Sequence, residues 1–163
     1  REFWRLPVIE NVLTAGQRQV GEGLVAALFR GTWHAQETEL REQAHELLDW
    51  VGLTEKARVP ASDLSGGQRR LLDIARSLMA GPKLLLLDEP TAGVYPVMVR
   101  EIAKRIRELP ARGIAVVVIA HDADFLVSAC DEIVVMAAGR VVARGDFDEV
   151  RRRSEVVEAY LGA

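Results

Sequence analysis

Two continuous apolar runs of strand length, Leu84–Asp88 and residues 114–120, constrain this chain more than any other feature. Runs without polar alternation have the look of parallel strands buried on both faces. Between them Met98, Val99, Ile102, Ile106 and Leu109 recur at helical spacing, and the pattern stops before Pro110 and Gly113. Strand, helix, strand predicts a right-handed parallel crossover. In sheets of that kind ligands gather at the carboxyl ends of the strands. The first run ends in Asp88-Glu89 and the second in His121-Asp122. Both polar clusters are therefore expected on one edge of the sheet, facing one cleft.

Upstream the texture differs. From residue 1 to about 80 the periodicity is helical. Pro7 suits a first helical turn, with Val8, Ile9, Val12 and Leu13 on one face. Leu40, Ala44, Leu47, Leu48 and Val51 form a second stripe that Gly52 ends. Residues 16–33, between them, are Gly-punctuated and ambiguous, and Pro60 breaks the chain again. Near the end, residues 133–136 and 141–143 around Ala138-Gly139 predict a hairpin, followed by short helices near 147–152 and 154–161.

Bulk properties exclude several classes. A net charge of −3 with 28% charged residues argues against a nucleic-acid partner. The local run Arg151-Arg152-Arg153 is expected to cap a helix or lie on a solvated face. Cys130 is the single cysteine, so no intramolecular disulfide forms; its apolar neighbours predict an inert thiol and a reducing compartment. The longest uncharged apolar run, residues 113–120, is too short to span a bilayer. The chain opens on Arg1 rather than Met, and is expected to be a fragment or a gene product missing its natural start.

The segment Ser65-Gly66-Gly67-Gln68 reads first as a capping box, Ser answered by Gln three residues on, before the apolar face Leu71, Leu72, Ala75, Leu78 and Met79. That explains Ser65 and Gln68 but not two glycines, each costing about 1 kcal/mol against alanine in a helix. Glycine fits if something must approach the backbone closely, and a helix start with bare N–H groups attracts anions. Asp88 and Glu89 pose a related problem, because adjacent carboxylates at a strand end repel each other. A Mg²⁺ ion removes the objection, with Asp88 holding it through water and Glu89 aimed at an attacking water. His121, at the same edge, could offer a ring N–H to a terminal phosphate oxygen. His34 and His45 fall in the helical region and read as surface residues.

These residues resemble the motifs of ABC transporter nucleotide-binding subunits. Leu-Ser-Gly-Gly-Gln at 64–68 matches the family signature, continued by Arg69-Arg70 and Ala75-Arg76-Ser77-Leu78. Leu84–Asp88 with Glu89 matches the Walker B strand and its catalytic glutamate. Thr91-Ala92-Gly93-Val94-Tyr95-Pro96 occupies the D-loop, and His121 the switch histidine. Val8-Ile9-Glu10-Asn11-Val12, Thr91-Ala92-Gly93, Ala120-His121-Asp122 and the ending Glu158-Ala159-Tyr160-Leu161-Gly162 are similar to ATPases of branched-chain amino-acid importers; lipopolysaccharide-export ATPases look alike.

The resemblance implies an α/β fold: a P-loop NTPase (RecA-like) core over residues 81–163, and an ABC α-helical subdomain over 1–80. The core is expected to lack its P-loop strand, because the chain contains no Gly-x-x-x-x-Gly-Lys-Ser/Thr loop. By the resemblance, that loop, the adenine-stacking aromatic and the Q-loop glutamine belong upstream of Arg1. Val94-Tyr95 stands where many members place an Asp. The implied function is ATP binding and hydrolysis for amino-acid import, with ATP and Mg²⁺ as cofactors, Asp88 on the metal, and Glu89 and His121 catalytic. Ser65, Gly66, Gly67 and Gln68 would close over the nucleotide of a second ATPase subunit. Transmembrane permease subunits are the other partners, placing the protein in the cytoplasm against the inner face of the membrane. The chain alone is expected to be inactive and poorly behaved, with an unpaired strand edge. The other reading is a non-catalytic module donating only its signature surface. A chromosome-maintenance ATPase is disfavoured, because no long heptad stretch or basic patch occurs.

Overall fold

The computed structural model of the protein describes residues 2–16 and 30–161. The Gly-punctuated residues 17–29, Arg1, Gly162 and the side chain of His34 lie outside that description. A 3-10 turn, Glu2–Arg5, precedes helix α1 (Val8–Leu13); α2 (Arg30–Trp50) and α3 (Gly66–Met79) follow. Pro7 caps α1 from just outside its first turn and bridges to Pro60. Gly52 adopts φ 71°, the left-handed backbone that ends α2. The expected stripes are the buried ones: Val8 and Val12, then Ala44 and Leu48, then Leu71, Leu72, Ala75, Leu78 and Met79. Asn11 is buried among them, and its Nδ2 donates to the carbonyls of Phe3, Leu6 and Pro7 at 2.8, 3.1 and 3.2 Å. The Phe3, Leu6 and Pro7 carbonyls also accept backbone N–H groups, from Leu6, Ala61 and Asn11, so the buried amide adds a second bond to each and ties the turn to α1.

Strands and helices then alternate. β1 (Leu84–Asp88) leads to α4 (Pro96–Glu108), β2 (Ala115–Ile119) and α5 (Ala123–Ala129). β1 and β2 run parallel, with Leu84 opposite Ala115 and Asp88 opposite Ile119. Pro96 opens α4, where its missing N–H costs nothing, and Gly113 at φ 76° turns the chain into β2. β3 (Ile133–Ala137) and β4 (Arg140–Gly145) form the expected antiparallel hairpin. Ala138 and Gly139, both at positive φ (48° and 75°), make the mirror-type turn that matches strand twist. α6 (Phe147–Val150) and α7 (Ser154–Leu161) close the described chain, and Val150 and Val156 pack with Ala143 into a small separate core.

The main core is one cluster that draws on both sides of residue 80, joining Leu48, Leu71 and Leu85 to Ile102, Ile106 and Phe125. A polar clasp reinforces it. The Trp50 indole donates to Glu108 Oε2 at 2.6 Å, Arg105 approaches the same oxygen at 3.2 Å, and Arg112 stacks 4.5 Å above the indole. Burial pushes the Glu108 carboxyl up, but the indole and Arg105 outweigh it and hold the group below the usual range.

One expectation fails. β1 and β2 are not buried on both faces. Leu85 is 6% exposed, but Leu86 is 68% and Ile119 61% exposed, with Leu84 and Val117 half-exposed beside them. The main core covers one face, and among the described residues nothing covers the other. A run of apolar side chains records the absence of polar ones; it does not count the layers available to cover it.

Candidate functional site

The start of α3 is built as the capping box predicts. Gln68 N donates to Ser65 Oγ at 3.3 Å, and Ser65 N donates to Gln68 Oε1 at 3.0 Å. Ser65 and Gly66 are exposed, whereas Gly67 is buried. The first N–H groups of any helix lack intrahelical acceptors, so this exposed start presents donors, with the Ser65 hydroxyl and the Gln68 side-chain carbonyl each already accepting the other residue's backbone N–H.

The second cluster lies at the carboxyl ends of β1 and β2. Asp88 ends β1 and is exposed. Glu89 follows at φ 45°, a left-handed conformation that costs a side-chain-bearing residue on the order of 1 kcal/mol. Its N–H donates to the Ile119 carbonyl at 2.8 Å, extending the ladder by one bond. Its Oε1 lies 2.8 Å from His121 Nδ1. That hydrogen bond, and then the carboxylate's charge, hold the imidazole pKa above the usual histidine value. Asp122 does something else: its Oδ1 accepts from Phe125 N at 3.1 Å and caps α5.

The strand ends thus bring Asp88, Glu89 and His121 to one edge, as the topology requires. The edge is open rather than a cleft, since the His121 side chain is 83% exposed. A further difference concerns pairing. Glu89 and His121 were each expected to meet a bound molecule, yet here they meet each other. The in-register parallel pairing of two strands ending in a carboxylate and a histidine was the signal that could have found this contact.

The remaining candidates read simply. His45 is exposed on α2. Cys130 is half-buried, and burial pushes its thiol pKa up, as for an inert thiol. Arg151 pairs with Asp148 at 2.9 Å beside the Phe147 ring, a local helix-end contact. Among the described residues no group of three or more His, Cys, Asp or Glu could hold a metal ion, and no helix is long and apolar enough to cross a membrane.

Comparison with known proteins gives this arrangement a context. The ABC transporter family model matches residues 7–92, a little over half of the chain. A probable branched-chain amino acid transport ATP-binding protein, LivG of Archaeoglobus fulgidus, is 37% identical over 98% of this chain and 61% of its own length. The high-affinity branched-chain amino acid transport ATP-binding protein BraF of Pseudomonas aeruginosa is 36% identical over 99% of this chain and 64% of its own. The chain therefore spans under two thirds of the length of these relatives. Among solved structures, a nucleotide-free ATP-binding cassette from an ABC transporter superposes with a TM-score of 0.80 at 34% identity, covering 99% of this chain and 65% of that one. The ADP conformation of another such cassette gives 0.77 at 33% identity, over 99% of this chain and 65% of that one. The α/β fold is that of the ABC ATPase cassettes, and the chain belongs to the ABC transporter family.

Proposed function

We propose that this chain is the signature-bearing and carboxylate-bearing part of an ATP-binding subunit that powers branched-chain amino-acid import. One observation carries the catalytic part of the reading. Glu89 and His121 meet at 2.8 Å on the open carboxyl edge of the parallel pair, beside Asp88. Relatives named for branched-chain amino-acid transport support the substrate over lipopolysaccharide export.

In this reading Glu89 accepts a proton from the attacking water, and His121 keeps the carboxylate charged and oriented before nucleotide arrives. His121 then turns its ring N–H to the terminal phosphate. Phosphoryl transfer relies on placement and electrostatics, so a carboxylate held at a fixed strand end suits it. Mg²⁺ neutralises charge on the phosphates when bound. Such an ion takes one or two carboxylates with water and phosphate oxygens completing the shell. Asp88 is exposed and belongs to no group of three or more ligating side chains among the described residues, which fits that donor set through water. The exposed start of α3, with Ser65, Gly66, Gly67 and Gln68, faces the nucleotide of a second ATPase subunit. The subunit pair associates with the membrane through permease partners, and residues 1–80 form the helical subdomain that meets them.

Joining this chain to the part of BraF that it does not span tests the reading. The chimera is expected to hydrolyse ATP in the presence of Mg²⁺, with Glu89→Gln lowering the rate at least about 100-fold. Hydrolysis untouched by Glu89→Gln would sink the assignment. The exposed, capped start of α3 also fits a second reading, a module that lends its signature surface to a complete ATPase. That reading predicts ATP-dependent association with no Mg-ATP binding by this chain alone.

A further inference from the structure

Gly67 is buried, and the reason lies within the chain. A Cβ built at this position would stand 2.6 Å from Met98 Cβ, 2.7 Å from Met98 Cγ and 3.2 Å from Val94 Cγ1. Real side chains do not approach that closely, and the obstacle is the root of a helical residue rather than a flexible tip. Its neighbour differs: a Cβ at Gly66 would meet only the Gly93 carbonyl oxygen, at 3.7 Å. Only the second glycine is demanded by packing.

The residues that crowd Gly67 belong to the segment that leaves Glu89. Ala92 N donates to the Glu89 carbonyl at 3.2 Å, Val94 N to Thr91 at 3.1 Å, and Met98 N to Tyr95 at 2.9 Å. Gly93 at φ 71° and Pro96 at the start of α4 fix the path further. A short, hydrogen-bonded turn therefore runs from Glu89 into α4, and its Val94 and Met98 pack against Gly67 in the first turn of α3.

We infer that Met98 is a positioning residue: with Val94 it forms a wedge against Gly67 that sets where the exposed N–H groups of α3 point. It ties them to the Glu89 end of β1. The glycine is the notch that receives the wedge. The inference rests on the reading of α3 as a nucleotide-facing surface, so its test has one arm that depends on that reading and one that does not.

The independent arm is a thermal-unfolding cycle on the 163-residue chain. Gly67→Ala is expected to lower Tm by at least about 3 °C, as overpacking does in a domain of this size. In a Met98→Gly background, where the obstructing Cβ and Cγ are gone, the same change should cost less than half as much. Equal losses in both backgrounds overturn the wedge. The dependent arm measures association of the chain with full-length BraF in a non-hydrolysable ATP analogue. Met98→Gly is expected to weaken it at least about fivefold, since small misplacements are costly at a phosphate site. Met98→Leu, which keeps the Cβ and Cγ, should restore it. Val150→Ala, in the separate small core, supplies a destabilised control expected to associate as the wild type does. Met98→Gly matching that control overturns the positioning role. Absent association by the wild-type chain overturns the functional reading and the role with it, while the thermal cycle still decides the wedge.

Discussion

Leu48 on α2 and Ile102 on α4 are wholly buried, whereas Leu86 on β1 and Ile119 on β2 are more than half exposed. All four are apolar residues in regular elements of one chain. The helical part closes its stripes on one another and adds the Trp50–Glu108 clasp. Among the described residues the parallel pair is covered on one face only, and His121 at its candidate functional edge stands in solvent. Cohesion and candidate chemistry are thus segregated: the helices hold the chain together, and the strand ends offer reactive groups on a platform that contributes little cover.

That contrast can be broken by mutation. Ile102→Ala should destabilise the chain by roughly 2–5 kcal/mol in chemical denaturation, because it opens a cavity in the shared core. Trp50→Phe removes the indole donor to Glu108 and should cost about 1 kcal/mol. It should also let the Glu108 pKa rise. Because the folded pKa of Glu108 lies below its ordinary value, its contribution is present above that value and lost as pH falls through the folded pKa. Trp50→Phe should therefore flatten the acid limb of stability against pH. Leu86→Ser, on the uncovered face, should change stability by less than about 0.5 kcal/mol while reducing aggregation measured by light scattering. A loss comparable to that of Ile102→Ala would mean that this face is covered after all.

The smallest effect concerns the open edge. His121 should titrate above the usual histidine value by NMR, and Glu89→Gln should return it toward that value. Any stability from the pair is complete below the unfolded histidine pKa and is lost as pH rises through the folded one. With His121 this exposed, the titration rather than the stability is the quantity to measure.

Much of the architecture was written into local pattern. The stripes on α2, α3 and α4, the Ala138-Gly139 turn and the capping box of Ser65 and Gln68 each depend on residues within a few positions of one another. So does the order strand, helix, strand, from which the shared edge of Asp88, Glu89 and His121 follows. Three features were not legible this way. The exposed faces of β1 and β2 depend on what packs above them, which a run of leucines and valines does not encode. The Glu89–His121 contact joins residues 32 positions apart through a register that only pairing sets. The tight seat of Gly67 against Met98 depends on how two helices meet.

The sequence by itself determined the elements, the capped start of α3 and the placing of polar clusters at strand ends, because these obey short-range periodicity and backbone geometry. Only the tertiary structure decided which side chains those groups meet. Helix packing and strand register bring distant residues within a few ångströms, and local pattern carries no record of such distances.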